Sequence, residues 1–327
     1  MIKNQLFTIV IVLMMILLAG CGRQPAEQPV DQLAEQSIEQ FEEQSAEQPE
    51  IIINNHSSYI IEDVCETEPG RYICSYDGVK HDFIIDFPVN AEHAPLIIML
   101  HGYGESAESF RIKTGFEKDA TALGYAVVYV TGAPSPEDAT SASGWNSGIA
   151  LSGNKDVDFL CGLVNYLCDT YNLDSSHVFA VGFSNGAFMT HRLAMEADDT
   201  FTGIVSVAGM MPESVWENKV GGNISVFQIT GEKDDVVPKN SDGSAKYAKA
   251  PAIEDVMDYY VENNGLTLME NETVGKKSTL TKYGADGTNT KVWNLFIPDG
   301  RHSWPDENIT GININQIILQ WCQTVIE

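Results

Sequence analysis

From residue 83 onward, short continuous apolar runs alternate with segments whose apolar residues recur every three or four positions. Phe83-Ile84-Ile85-Asp86-Phe87 reads as an early antiparallel strand. Leu96-Ile97-Ile98-Met99-Leu100 is apolar at every position, the pattern of a strand buried on both faces of a parallel sheet. Tyr125 to Val130 repeats that pattern after a helix-like stretch, and a loop rich in Gly, Ser and Pro then covers 132–154. Val157, Leu160, Cys161, Val164 and Leu167 follow at helical spacing. Val178–Val181 is the next buried strand, leading into a helix from Asn185 to Met195. Further strands are expected at 203–207, 224–230, 278–284 and 291–297, with helices near 252–261 and 314–325. The alternation predicts one α/β domain over 51–327, an open, mostly parallel sheet flanked by helices, with no internal repeat.

The first fifty residues follow different rules. Lys3 precedes an almost wholly apolar run from Leu6 to Gly20, ending in Leu18-Ala19-Gly20-Cys21. Fifteen helical residues span about 22 Å, short for a membrane crossing but suited to a signal-peptide core. The small residues before Cys21 resemble the bacterial lipoprotein processing box. That resemblance implies removal of residues 1–20 and a diacylglyceryl group on Cys21, as the mature N-terminus at the outer face of the cell membrane. Residues 22–50 repeat an Ala-Glu-Gln theme and hold eight acidic residues and one basic one. Such a segment buries too little apolar surface to offset its ordering entropy, so 21–50 is expected to be a disordered tether.

The 327 residues are 43% apolar, enough for one large core, and carry a net charge of −27. That charge repels a phosphate backbone and excludes nucleic acid as a partner. Five cysteines follow Cys21. Cys65 and Cys74 flank a turn-like stretch, where they either close a hairpin as a disulfide or remain thiols. Cys161 and Cys168 share a helix face and are expected to be buried thiols. No Cys/His spacing resembles a zinc site, and no metal is expected.

Gly182-Phe183-Ser184-Asn185-Gly186 has the Gly-x-Ser-x-Gly spacing of a nucleophile elbow, between an apolar strand and a helix pattern as that sharp turn requires. The flanking glycines are expected because the strained serine backbone leaves no room for side chains beside it. A serine hydroxyl needs an imidazole to take its proton and a carboxylate to fix the imidazole's tautomer. With the partners in the chain order serine, acid, histidine, only His191 and His302 lie far enough along. His191 sits seven residues down the elbow helix and is expected to pack elsewhere, which leaves His302 in its Gly/Pro-bounded loop. The acid should follow the strand ending at Thr230, where position alone does not separate Asp234 from Asp235. The expected oxyanion donors are the amides of Asn185 and of Tyr103 in His101-Gly102-Tyr103-Gly104, with His101 bracing that loop.

These blocks together resemble the polyhydroxybutyrate depolymerase/feruloyl esterase group of secreted esterases. The run Val181–Met189 with Arg192-Leu193-Ala194 carries the resemblance, as do His101-Gly102, Gly231…Asp234…Val237-Pro238 and His302-Ser303-Trp304-Pro305. It covers about residues 80–310 and implies the α/β-hydrolase fold, catalytic Ser184, Asp234 and His302, and carboxylic ester substrates without a cofactor. Tyr103-Gly104-Glu105 stands where depolymerase-like members often have Cys-Thr-Gln, and Gly300-Arg301 replaces a Gly-Gly. Both departures border the expected acyl pocket. Trp145 resembles an aromatic of the family's substrate loop, with packing as the alternative, and Trp304 is the second expected substrate-binding aromatic.

The function expected from this reading is that of an extracellular serine esterase, a monomer that touches the membrane only through Cys21. Feruloyl or acetyl esters of plant cell-wall polysaccharide are the leading substrates. A polyhydroxyalkanoate depolymerase or general carboxylesterase is the alternative within the chemistry. A solute-binding lipoprotein is the alternative outside it, disfavoured by the ordered serine, acid and histidine. Cys21→Ser is expected to release the protein from membranes or leave it unprocessed, with the activity of 51–327 unchanged. Detergent partitioning and mass spectrometry of the expressed chain check this, and a processed mutant that still enters the detergent phase would refute the anchor.

Overall fold

A computed structural model describes residues 59–135, 142–149, 153–239 and 250–327. The expected signal peptide (1–20), Cys21, the tether (21–50) and the start of the domain through residue 58 lie outside the described residues. The compact unit Asn54–Glu327 is built on one eleven-stranded sheet. In chain order the strands are β1 (Glu62–Glu68), β2 (Arg71–Tyr76), β3 (Val79–Asp86), β4 (Pro95–Leu100), β5 (Ala126–Val130) and β6 (Asp174–Phe183), followed by β7 (Gly203–Val207), β8 (Ser225–Gly231), β9 (Thr267–Val274), β10 (Ser278–Gly284) and β11 (Val292–Ile297). The spatial order is β1-β2-β3-β5-β4-β6-β7-β8-β11-β10-β9.

The six central strands, β5 through β11 in that order, pair parallel throughout. Antiparallel ladders flank them, with β3 against β5 on one side and β10 against β11 on the other. The parallel centre follows the sequence pattern. The outer strands are more numerous than that pattern showed, because their polar, half-exposed residues give little apolar signal. In the edge strand β9, Thr267 to Glu270 are all exposed.

The helices are α1 (Ala107–Thr114), α2 (Phe116–Ala122), α3 (Asp156–Tyr171), α4 (Asn185–Glu196), α5 (Glu213–Glu217), α6 (Ile253–Asn263), α7 (Glu307–Thr310) and α8 (Ile314–Ile326). Alternate residues of β4 enter two separate cores, as the two-residue period of a strand requires. Leu96, Ile98 and Leu100 pack with α3, α4 and α6, while Ile97 and Met99 pack with α1, α2 and α8. Gly115, at φ 54°, ends α1 and begins α2, so the helix-like stretch before β5 is two helices.

Cys65 and Cys74 are free, and the hairpin register supplies the reason. Cys65 lies opposite Ile73, so Cys74, one residue on, projects from the other face of the sheet. Cys161 and Cys168 are buried thiols, as their shared helix face indicated.

Trp321 of α8 is fully buried, its ring 5.8 Å from that of Phe179 and 6.0 Å from that of Phe227. It caps the β6–β7–β8 surface, where a Cβ on Gly203 would stand 2.7 Å from the indole. Trp321→Ala should therefore cost about 3–5 kcal/mol through lost contacts and the cavity left behind. Urea denaturation measures this, and a loss below about 1 kcal/mol would show that α8 does not anchor this face.

Candidate active site

The parallel strands deliver the candidate residues to one edge of the sheet, at their C-terminal ends. Ser184 follows β6 and precedes α4, with φ 52° and ψ −115°, a conformation costly for a non-glycine residue. Its neighbours explain how the turn is held. A Cβ on Gly182 would lie 2.2 Å from the Gly186 carbonyl oxygen, and one on Gly186 would lie 2.1 Å from the Leu100 oxygen. The Ser184 N–H donates to Val207 O at 3.0 Å, tying the turn to β7.

The acid and histidine arrive on neighbouring strands. In the β8–β11 ladder Gly231 lies opposite Ile297, so the loops that follow leave the sheet side by side. They meet backbone to backbone, since a Cβ on Gly231 would stand 2.5 Å from Gly300 O. Asp234 accepts the Val236 and Val237 N–H groups at 2.9 and 2.8 Å, which fixes its carboxylate. Its oxygens stand 3.1 and 2.9 Å from His302 Nδ1, and His302 Nε2 stands 2.9 Å from Ser184 Oγ. An ionised carboxylate only accepts, so Nδ1 carries the proton and the Nε2 lone pair faces the serine hydroxyl. The Asp234 side chain is 2% exposed, whereas Asp235 is exposed. The structure thus brings Ser184, Asp234 and His302 together and leaves Asp235 aside.

Two backbone amides, in the loop after β4 and at the start of α4, have no acceptor among the described residues. Asn185 is the first residue of α4, where an N–H has no intrahelical acceptor. In the loop after β4, Gly102 N–H donates to Glu105 Oε2 at 3.1 Å, Gly104 N–H to Ser143 O at 2.8 Å and Glu105 N–H to Gly102 O at 3.2 Å. That leaves the Tyr103 N–H. His101 braces the loop as expected: Nε2 accepts from Gly132 N–H at 2.9 Å, so Nδ1 donates to Gly102 O at 2.6 Å. In the sequence Glu105 marks only a departure from the family pattern. Its carboxylate closes this loop and pairs with Lys113, whose ammonium lies 4.5 Å from the centroid of the Phe183 ring.

Ser184 and His302 open into a cleft of about 880 Å³ lined by Tyr103, Phe183, Trp304, Asn313 and Asn315, among others. Tyr103 is 51% exposed, and Trp304 donates from Nε1 to Asn315 Oδ1 at 3.1 Å. Trp145 does not reach this surface, which corrects its expected place in substrate binding. It is fully buried, with its indole Nε1 donating to His101 O at 3.0 Å and its backbone N–H to Asn185 Oδ1 at 2.7 Å. A buried indole at helix-to-loop contacts presents no face to a ligand. His191 is likewise interior, between Tyr260 Oη and Gln228 Oε1 at 3.2 Å each.

Residues 91–251, just under half of the chain, match the family described as Serine hydrolase (FSH1). Over 166 residues the chain is 37% identical to "Putative esterase NocK" of Nocardia uniformis subsp. tsuyamanensis, covering 51% of this chain and 47% of that protein. Over 109 residues it is 32% identical to Feruloyl esterase B of Thermothelomyces thermophilus, covering 33% of this chain and 36% of that one. The chain thus spans less than half the length of these two relatives. Among solved structures, Acetyl xylan esterase from Aspergillus awamori resembles it with a TM-score of 0.55 at 15% identity, over 75% of this chain and 94% of that one. The shared architecture is the α/β-hydrolase fold.

Three imidazoles, His81, His101 and His191, are buried in their neutral form. Burial holds His81 and His191 down to about 4 and lowers His101 as well. In the unfolded chain such rings take up protons near pH ~6.5. Between about pH 6.5 and 4 the unfolded state therefore binds more protons, and these rings make stability fall as pH falls. Asp156, pushed up to about 6 by burial, works in the opposite sense: its contribution is lost as pH rises through that value. Three rings against one carboxyl predict a lower urea midpoint at pH 5 than at pH 7, with a shallower decline in His191→Asn. Urea titrations across that range check the sign, and a midpoint that climbs on acidification would contradict it.

Proposed function

We propose that this chain is a serine esterase that hydrolyses carboxylic esters through an acyl-enzyme on Ser184. The observation that carries the reading is the continuous relay from Asp234 through His302 Nδ1 and Nε2 to Ser184 Oγ. Ser184 Oγ attacks the acyl carbon while His302 Nε2 takes its proton, and Asp234 stabilises the imidazolium that forms. The negative charge gathers on the former carbonyl oxygen, where the N–H groups of Tyr103 and Asn185 receive it. His302 then hands the proton to the departing alkoxide, and the alcohol leaves. Water repeats the sequence on the acyl-enzyme, releasing the acid and restoring Ser184.

Feruloyl or acetyl esters on carbohydrate are the substrates we propose. Feruloyl esterase and acetyl xylan esterase names among the similar proteins support this class. So does a cleft bordered by Tyr103, Phe183 and Trp304, since aromatic contacts add about 0.5–1.5 kcal/mol beyond area burial. Anchoring through Cys21 at the outer cell surface would give such an enzyme access to polymers too large to import.

Ser184→Ala is expected to fold normally and lose about 10⁵ or more in kcat, and Asp234→Asn to lose about 10⁴, while Asp235→Asn loses little. Aryl acetate kinetics with circular dichroism measure these effects, and a tenth of wild-type activity in folded Ser184→Ala would sink the nucleophile. On a substrate panel, methyl ferulate or acetylated xylan should exceed hydroxybutyrate oligomers at least tenfold in kcat/KM. Good turnover of the oligomers with neither methyl ferulate nor acetylated xylan cleaved would overturn the substrate class and leave the relay standing.

A further inference from the structure

The carboxamide of Asn185 is committed to the protein interior, and the residue is 4% exposed. Its Oδ1 accepts the Trp145 N–H at 2.7 Å, while Nδ2 donates to Trp145 O at 3.3 Å and Ser147 Oγ at 3.0 Å. Three bonds thus clamp the segment around Trp145 to the first residue of α4. The same segment grips the loop after β4 from its other side. Ser143 O accepts the Gly104 N–H at 2.8 Å, the Ser143 hydroxyl donates to Glu105 O, and the Trp145 indole donates to His101 O at 3.0 Å. Gly144 is the pinch point: a Cβ there would stand 3.0 Å from Tyr103 Cδ2 and 3.1 Å from Asn185 Oδ1. Residues 143–147 therefore form a strap bonded at one end to the loop that carries the Tyr103 N–H and at the other to Asn185.

The two amides without an acceptor among the described residues, those of Tyr103 and Asn185, belong to the loop and the residue that this strap joins. An oxyanion is stabilised only where both donors stand about 3 Å from the oxygen's transition-state position, and a displacement near 1 Å can cost about 10²-fold. We propose that the Asn185 side chain is a positioning group for the oxyanion hole: through the 143–147 strap it sets the gap between its own backbone N–H and that of Tyr103. This rests on the reading of Ser184 as an esterase nucleophile. Truncating the carboxamide removes neither donor, but it frees the gap and strands the buried Trp145 N–H. Because the oxyanion exists only past the ground state, the loss falls on kcat and spares KM.

The test uses the purified full chain with p-nitrophenyl acetate, an aryl boronate as a tetrahedral analogue, and a fluorophosphonate label. Asn185→Ala loosens the gap and Gly144→Ala wedges it, so the same geometry is disturbed from opposite sides. Each is expected to lower kcat by about 30- to 100-fold with KM within about threefold, and to weaken boronate binding in parallel with kcat/KM. The double variant should lose much less than the product of the two single losses, since both act on one gap. Should Asn185→Ala fail to fold, Gly144→Ala carries the test with the same readouts. An active wild type whose folded variants keep kcat within threefold, or lose activity through KM with boronate affinity unchanged, would overturn the positioning role. A wild type that neither hydrolyses the ester nor takes the label overturns the esterase reading instead.

Discussion

The close approach of three backbone segments around Ser184 is the constraint from which the rest of the site follows. Gly182 and Gly186 let the turn from β6 into α4 fold on itself and against the end of β4, at separations that a side chain would close to 2.2 and 2.1 Å. That contact holds Ser184 at positive φ and presents the first N–H of α4 at the sheet edge. It also brings the residues after β4 alongside, because the Gly186 position abuts the carbonyls of Leu100 and His101. The candidate nucleophile and both candidate oxyanion donors therefore share one rigid junction.

The relay to that junction depends on a second pair of close backbones. Gly231 and Gly300 let the acid loop and the histidine loop touch where β8 and β11 end. Asp234 is then fixed by local N–H groups, and His302 spans from it to the serine. Both junctions stand on strands buried from two sides, so cores above and below the sheet resist their displacement. Strain at Ser184 persists because the frame around it is over-determined.

Polar groups inside this frame act as fixtures. His101 and His191 use both ring nitrogens in directed bonds, which fixes one neutral tautomer for each. Glu105 occupies a loop N–H and pairs with Lys113, so this carboxylate and this cation of the cleft lining neutralise each other. Asp156 accepts the Asn146 N–H at 2.6 Å and joins α3 to the strap beside the elbow. The net charge of −27 thus has little to do with the polar contacts that shape the site.

The apolar runs and the Gly-x-Ser-x-Gly spacing were enough to locate the parallel core, Ser184 and, by chain order, His302. Those signals are local, since burial on two faces forces continuous apolar strands and the elbow forces glycines. The edge strand β9 escaped this reading because residues without a buried face leave no periodic mark. Asp234 and Asp235 are alike in composition and position, and only the geometry between loops sets Asp234 against His302. Trp145 looked like a cleft aromatic in sequence, yet its surroundings come from Asn185 and His101, 40 and 44 residues away along the chain. The Cys65–Cys74 spacing allowed a hairpin disulfide, but strand register sends the two side chains to opposite faces. Sequence by itself determined Ser184 and His302 as candidates and the order in which the chain supplies serine, acid and histidine. Tertiary structure alone decided which of them meet, because distance and orientation between loops arise from packing, which no local pattern encodes.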